Sequence, residues 1–241
     1  MKSMNRFLAA LFLVLSLTLC SCLETSLVYN MNLYHDGRTV CEKRVGVQTD
    51  LSLTSKLRTS KEATTFENDF HDIGPMIGTG VRVAVSRKCD VGGNFSFNVD
   101  ESGSGVGGRL YTKVQLTEPS KEFAVSIMPA LGFGIGSKNT EEETGSTLSS
   151  YLVALELHAP MSYDMTRRFR FLFGGHLYYL VYAAPFERGP NELLLESQTP
   201  GISLLCPAIS GGFQFGPLTP EASVVLIDGK AMAIGGVGLN F

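Results

Sequence analysis

The chain has 241 residues, 44% hydrophobic and 18% charged, with 26 glycines, no tryptophan and a formal net charge of -3. That weak negative charge, with a pI near 5.8, gives no sign of a nucleic-acid partner. Beyond the N-terminal residues no apolar stretch is long enough for a membrane-spanning helix, so such a chain could cross a bilayer only as a closed β-barrel.

In chain order, Lys2 and Arg6 come first, followed by an uncharged run from Phe7 to Leu19. At about thirteen residues it has the layout of a secretory signal peptide rather than a span, which needs roughly twenty. The next residues, Leu19-Cys20-Ser21-Cys22, resemble a bacterial lipobox, with small Ser21 just before Cys22. The resemblance implies a signal peptide over 1–21 and a lipoprotein whose Cys22 carries acyl chains such as palmitate. Leu23 in place of Asp resembles lipoproteins passed on to the outer membrane. Ordinary signal cleavage nearby is the alternative. Residues 22–42 read as a short periplasmic tether, and 43–241 as one β domain.

Alternation of period two then dominates, as in strands with one apolar face. It starts with Val45-Val47-Thr49-Leu51-Leu53 and continues through Val81-Val83-Val85, Phe95-Phe97-Val99 and Val106-Leu110-Val114-Leu116. The clearest strand sets Phe123, Val125, Ile127, Pro129, Leu131 and Phe133 against Ala124, Ser126, Met128, Ala130, Gly132 and Gly134. Tyr151–Ala159 and Phe169–Val181 follow the same rule, and segments near 202–215 and 219–227 precede the last strand. About ten strands are predicted, or eight if two weak segments are misread. Long connections (56–76, 136–148, 183–201) all take odd places in the order, so long and short ones fall at opposite ends of the domain. An even strand count would leave both termini beside the short turns.

The last strand places Ala231, Ala233, Gly235, Val237, Leu239 and terminal Phe241 on one face. This resembles the C-terminal signature of bacterial outer-membrane β-barrels. The resemblance implies an all-β, up-and-down antiparallel transmembrane barrel in outer-membrane lipid, its lipid-anchored N-terminus on the periplasmic side. It also implies recognition by the barrel-assembly machinery through the strand ending at Phe241. The apolar faces would then point to lipid. The small residues opposite them suit a narrow lumen, where Arg82, Arg109, Lys113, Glu156, His158, Arg170 and His176 would form a polar network. A lipid-anchored soluble barrel closed around an apolar interior is the opposing reading.

His158 and His176, with Glu156 two residues from the first, are the catalytic candidates. A turn at 163–166 would set His158 roughly opposite Arg170, close enough to interact. A charge network bracing the lumen is the preferred reading. The sequence matches neither the acidic and Asp–His groups of ten-stranded outer-membrane proteases nor the deacylase pairing of a strand His with a Ser two residues on. His176 is followed by Leu177 and Tyr178 instead. No phosphate loop or metal-ligand spacing is present, so neither an enzyme nor a cofactor is expected. A structural or surface-interaction barrel is expected, with a narrow small-solute channel or a soluble ligand-binding barrel as alternatives. In an oxidising compartment Cys41 and Cys89 would face each other at the start of the first strand and the end of the second, as a possible disulfide, leaving Cys206 free.

Overall fold

The computed structural model describes residues 35, 37–40, 45–55, 73–98, 104–140, 146–166, 168–188, 202–227 and 229–241. Ten strands follow in order: β1 (Val45–Ser55), β2 (Ile73–Ser86), β3 (Cys89–Asn98), β4 (Ser104–Gln115) and β5 (Phe123–Thr140). The second half comprises β6 (Ser146–Asp164), β7 (Phe169–Arg188), β8 (Ile202–Phe215), β9 (Leu218–Ile227) and β10 (Lys230–Asn240). Each is antiparallel to the next, and β1 pairs with β10 to close the barrel. The β2–β3, β4–β5, β6–β7 and β8–β9 connections share one end with the start of β1 and with Phe241; this is the turn end, and the opposite rim is the loop end.

Local chemistry sets the tight turns. Gly216 links β8 to β9 with φ of 58°, a left-handed conformation that glycine adopts without a Cβ clash. Between β6 and β7 the Thr166 hydroxyl accepts the amides of Arg168 and Phe169. Pleating then sends alternate side chains to opposite faces. Here the faces are inverted relative to a water-soluble core: Leu131, Leu155 and Ile209 are 49%, 56% and 68% exposed, while Arg109, Lys113 and Glu156 are buried.

Part of the lumen is packed with side chains. Toward the loop end, Leu152, Ala154, Tyr178, Leu180, Cys206, Ala208, Val225, Ile227, Met232 and Ile234 form an apolar cluster from β6–β10. At Gly78 a Cβ would lie 2.4 Å from the Asp50 carboxylate, so glycine lets that acid fold against its neighbour strand.

Three expected connections are shorter than the sequence suggests. β2 begins at Ile73, β5 continues to Thr140 with β6 starting at Ser146, and β7 runs to Arg188. Pairings such as Lys138↔Leu148 and Thr147↔Arg188 carry the ladder onward. The apolar alternation stops earlier, at Ser137, Asn139, Thr147 and Ser149, so hydropathy no longer marks these strands.

Closure depends on two bonds at the last residue: Val47 N donates to Phe241 O at 3.0 Å, and Phe241 N donates to Val47 O at 2.8 Å. Val47→Pro removes the first donor. Amide hydrogen exchange should then accelerate along the β1–β10 seam while β5–β7 keep their protection.

Candidate functional site

All seven expected lumen residues lie on the inward face. Arg109, Lys113, Glu156, His158 and His176 are buried; Arg82 and Arg170 are half-buried. Four of them, from β4, β6 and β7, meet in one chain of contacts. Arg109 Nε donates to Glu156 Oε2 at 2.7 Å, and His158 Nε2 reaches the same oxygen at 2.7 Å. His158 Nδ1 lies 3.1 Å from His176 Nδ1, and His176 Nε2 lies 2.8 Å from Ser210 Oγ on β8. With both imidazoles neutral, one proton arrangement satisfies every link. His158 carries its proton on Nε2 and donates to Glu156, so its Nδ1 accepts from His176 Nδ1–H. His176 Nε2 is then free to accept the Ser210 hydroxyl. The Tyr178 ring packs edge-on against His158 with centroids 5.3 Å apart.

The register differs from the sequence expectation. His158 stands opposite His176, not Arg170, and Glu156 stands opposite Tyr178. The hairpin turns later than expected: Met165 N and Thr166 N both donate to Phe169 O, which sets Asp164 against Arg170. Arg170 therefore belongs to the turn-end rim, where it pairs with Asp164 and donates to Gln214 at 3.1 Å.

A second polar centre involves residues expected to be tether. Gly37–Val40 do not lie free of the barrel; they dock against β3–β6 at its turn end. Ser126 Oγ donates to Gly37 O at 2.6 Å, and Gly37 N donates to Ser162 Oγ at 3.3 Å. A Cβ at Gly37 would sit 2.3 Å from Ala124 O, so no larger residue fits there. Thr39 N donates to Gln115 Oε1 at 3.1 Å, its hydroxyl to Arg87 O at 2.8 Å, and Val40 N to Asp90 Oδ2 at 2.9 Å. Arg38 donates to the carbonyls of Pro119, Lys121 and Glu122 in the β4–β5 turn and pairs with Asp164. Lys113 bridges the two sides, donating to Arg38 O and lying 3.7 Å from Asp90.

His35 reaches deeper, edge-on to Tyr111 with centroids 4.8 Å apart. Burial, then the charges of Lys113, Arg82 and Arg109 and the His158 ring, hold its pKa well below the ordinary 6.5. Cys22 and Cys41 lie outside the described residues. Cys89 and Cys206 carry free thiols. Ser210, Asp90, Asp164 and Arg38 complete the network without having been singled out in the sequence. Only alternation, which puts Ser210 and Asp90 on inward faces, could have suggested them.

Two outcomes follow from this geometry. Arg109→Met leaves the buried Glu156 without its cation and should cost about 3–5 kcal/mol in urea unfolding; adding Glu156→Leu should recover much of that loss. For His35, the docked imidazole binds a proton less readily than an undocked one. Its support for docking is therefore complete above about pH 6.5 and declines as pH falls below it. A spin label at Val40 should gain mobility between pH 7.5 and 5, and His35→Phe should flatten that response.

No family model matches the chain, and no curated protein matches it. Among solved structures, it is similar to the translocator domain of autotransporter NalP from Neisseria meningitidis, with 11% identity and a TM-score of 0.41. The alignment covers 85% of this chain and 90% of that one. A second chain, described under the in-meso crystallization of membrane proteins, aligns at 11% identity and a TM-score of 0.32, covering 82% of this chain and 83% of that one.

Proposed function

We propose that the protein is a bacterial outer-membrane β-barrel lipoprotein with a structural or surface-interaction role, its loop end facing outward. The observation that carries this reading is an outward apolar band between two aromatic rows. The turn-end row contains Phe123, Tyr163, Phe171, Phe213, Phe215 and Phe241; the other contains Phe95, Phe133, Tyr151 and Tyr179. Phe123 and Phe133 are ten positions apart on β5. At about 3.3 Å per residue and a tilt of about 40°, they are separated by about 25 Å along the barrel axis, the height of a membrane barrel's apolar band. Tyr and Phe occupy the girdle positions that Trp often shares.

A soluble barrel would leave this whole belt in water, far beyond the few hundred Å² of contiguous apolar surface that monomers expose. A solute channel suits the lumen poorly, because Arg109 and Lys113 are 1% and 0% exposed and held by carboxylates. Lipid attachment at Cys22 rests on the Leu19–Cys22 motif, and engagement of the assembly machinery rests on the strand ending at Phe241. Long loops on a rigid wall are where partner-binding residues usually sit.

Lipid-soluble photolabels are expected on Leu155 and Phe171 and absent from Glu156. The reverse pattern would overturn the membrane reading. Reconstituted protein should show no steady single-channel conductance. Labelled fatty acid should enter the wild-type chain but not Cys22→Ser, which should still fractionate with membranes.

A further inference from the structure

The contact chain ending at Ser210 has the polarity of a nucleophile-activating relay, and we propose that Ser210 is a reactive serine that cleaves carboxylic esters within the barrel. This reading is independent of the membrane assignment and requires only the closed barrel. It departs from the sequence expectation of no enzyme, which found no Ser two residues after either His. The serine comes instead from the neighbouring strand, where Ser210 stands opposite Gly174, two residues before His176.

Four features support the assignment. Ser210 Oγ is 2.8 Å from His176 Nε2, the reach of a general base. The far nitrogen of His176 is oriented by His158, and His158 by Glu156, so the base is held in one tautomer. Arg109 pairs with Glu156 at 2.7 Å and fixes that carboxylate at the end of the line. Last, the relay is buried except at its working end: Glu156 and His158 are enclosed, whereas Ser210 is half-buried. Glycine at 174 preserves room there, because a Cβ would lie 2.9 Å from His176 Cε1 and 3.3 Å from Ser210 Oγ. Half-buried Gly212, Gln214 and Arg170 continue from this point to the turn end.

In the step, Ser210 Oγ bonds to the ester carbonyl carbon as its proton passes to His176 Nε2. The carbon–alkoxide bond breaks, and His176 returns the proton to the leaving alkoxide, giving an alcohol and an acyl-Ser210 ester. Water then attacks the acyl carbon with His176 Nε2 taking its proton; the carbon–Oγ bond breaks and His176 returns the proton to Ser210 Oγ, releasing a carboxylic acid and restoring Ser210. Ser210 and His176 are the catalytic residues; His158 and Glu156 are positioning residues.

The full chain, folded in detergent micelles and checked by circular dichroism, is treated with a fluorophosphonate probe and with p-nitrophenyl acetate. The expected result is a probe adduct mapped to Ser210 and slow ester turnover, both lost in Ser210→Ala. His176→Gln should slow labelling about 100-fold or more. Gly174→Ala should slow it by crowding the pair while the barrel melts as before. Glu156→Gln, which keeps the side chain's shape, should change the pH profile of labelling, a readout that a purely bracing role would not move. No adduct at Ser210 in folded protein overturns the proposal, and so does equal labelling in His176→Gln and Gly174→Ala. The photolabelling pattern of Leu155 and Glu156 is untouched by either result, so the two readings fail separately.

Discussion

Everything in this molecule depends on closing the hydrogen-bond ladder between β1 and β10. An open ten-stranded sheet would present two rows of unpaired amides and carbonyls, which cannot be satisfied in an apolar surrounding and template aggregation in water. Pairing Gln48 with Asn240, and bonding Val47 to Phe241, removes both edges at once. Only a closed wall can then carry its apolar side chains on the outside, because the backbone behind them has no remaining polar demand. The exposed leucines, valines and phenylalanines are thus a consequence of closure as much as of composition.

Closure also creates a problem inside. Charges sealed in a narrow lumen lose hydration, and they persist only where a partner compensates. The structure compensates locally. Arg109 meets Glu156, Lys113 meets Asp90, and Arg38 and Arg170 converge on Asp164. At the loop end the apolar cluster from β6–β10 needs no such pairing. The Lys113–Asp90 pair lies where Arg38 and Val40 supply a backbone acceptor and a donor, whereas Glu156 stands opposite Tyr178 at the border of the apolar cluster.

What the sequence revealed follows range of interaction. Strand number and face are local properties: alternation at Phe123–Phe133 reports the pleat directly, and it pointed to about ten strands, with eight left open by two weak segments. Where the sequence turns polar, as at Ser137 and Thr147, the strands continue but the signal stops. Register is less local. A shift of the β6–β7 turn by a few residues moved His158 from Arg170 to His176, which changed the chemistry of the site. Ser210 was harder still, because β7 and β8 are joined by a long connection whose length does not fix their alignment. Arg38 and Thr39 carry no periodic signal, so nothing in their neighbourhood announces contacts to residues 75 or more positions away.

Those distant contacts order the assembly of the turn end. Gly37 needs Ser126 on β5 and Ser162 on β6; Thr39 needs Gln115 on β4; Val40 needs Asp90 on β3. Four strands must already stand side by side before the segment has anything to bind. Docking provides the Arg38 carbonyl to Lys113 and the Val40 amide to Asp90. The residues that cover the Lys113–Asp90 pair are thus the ones that supply it with a carbonyl and an amide.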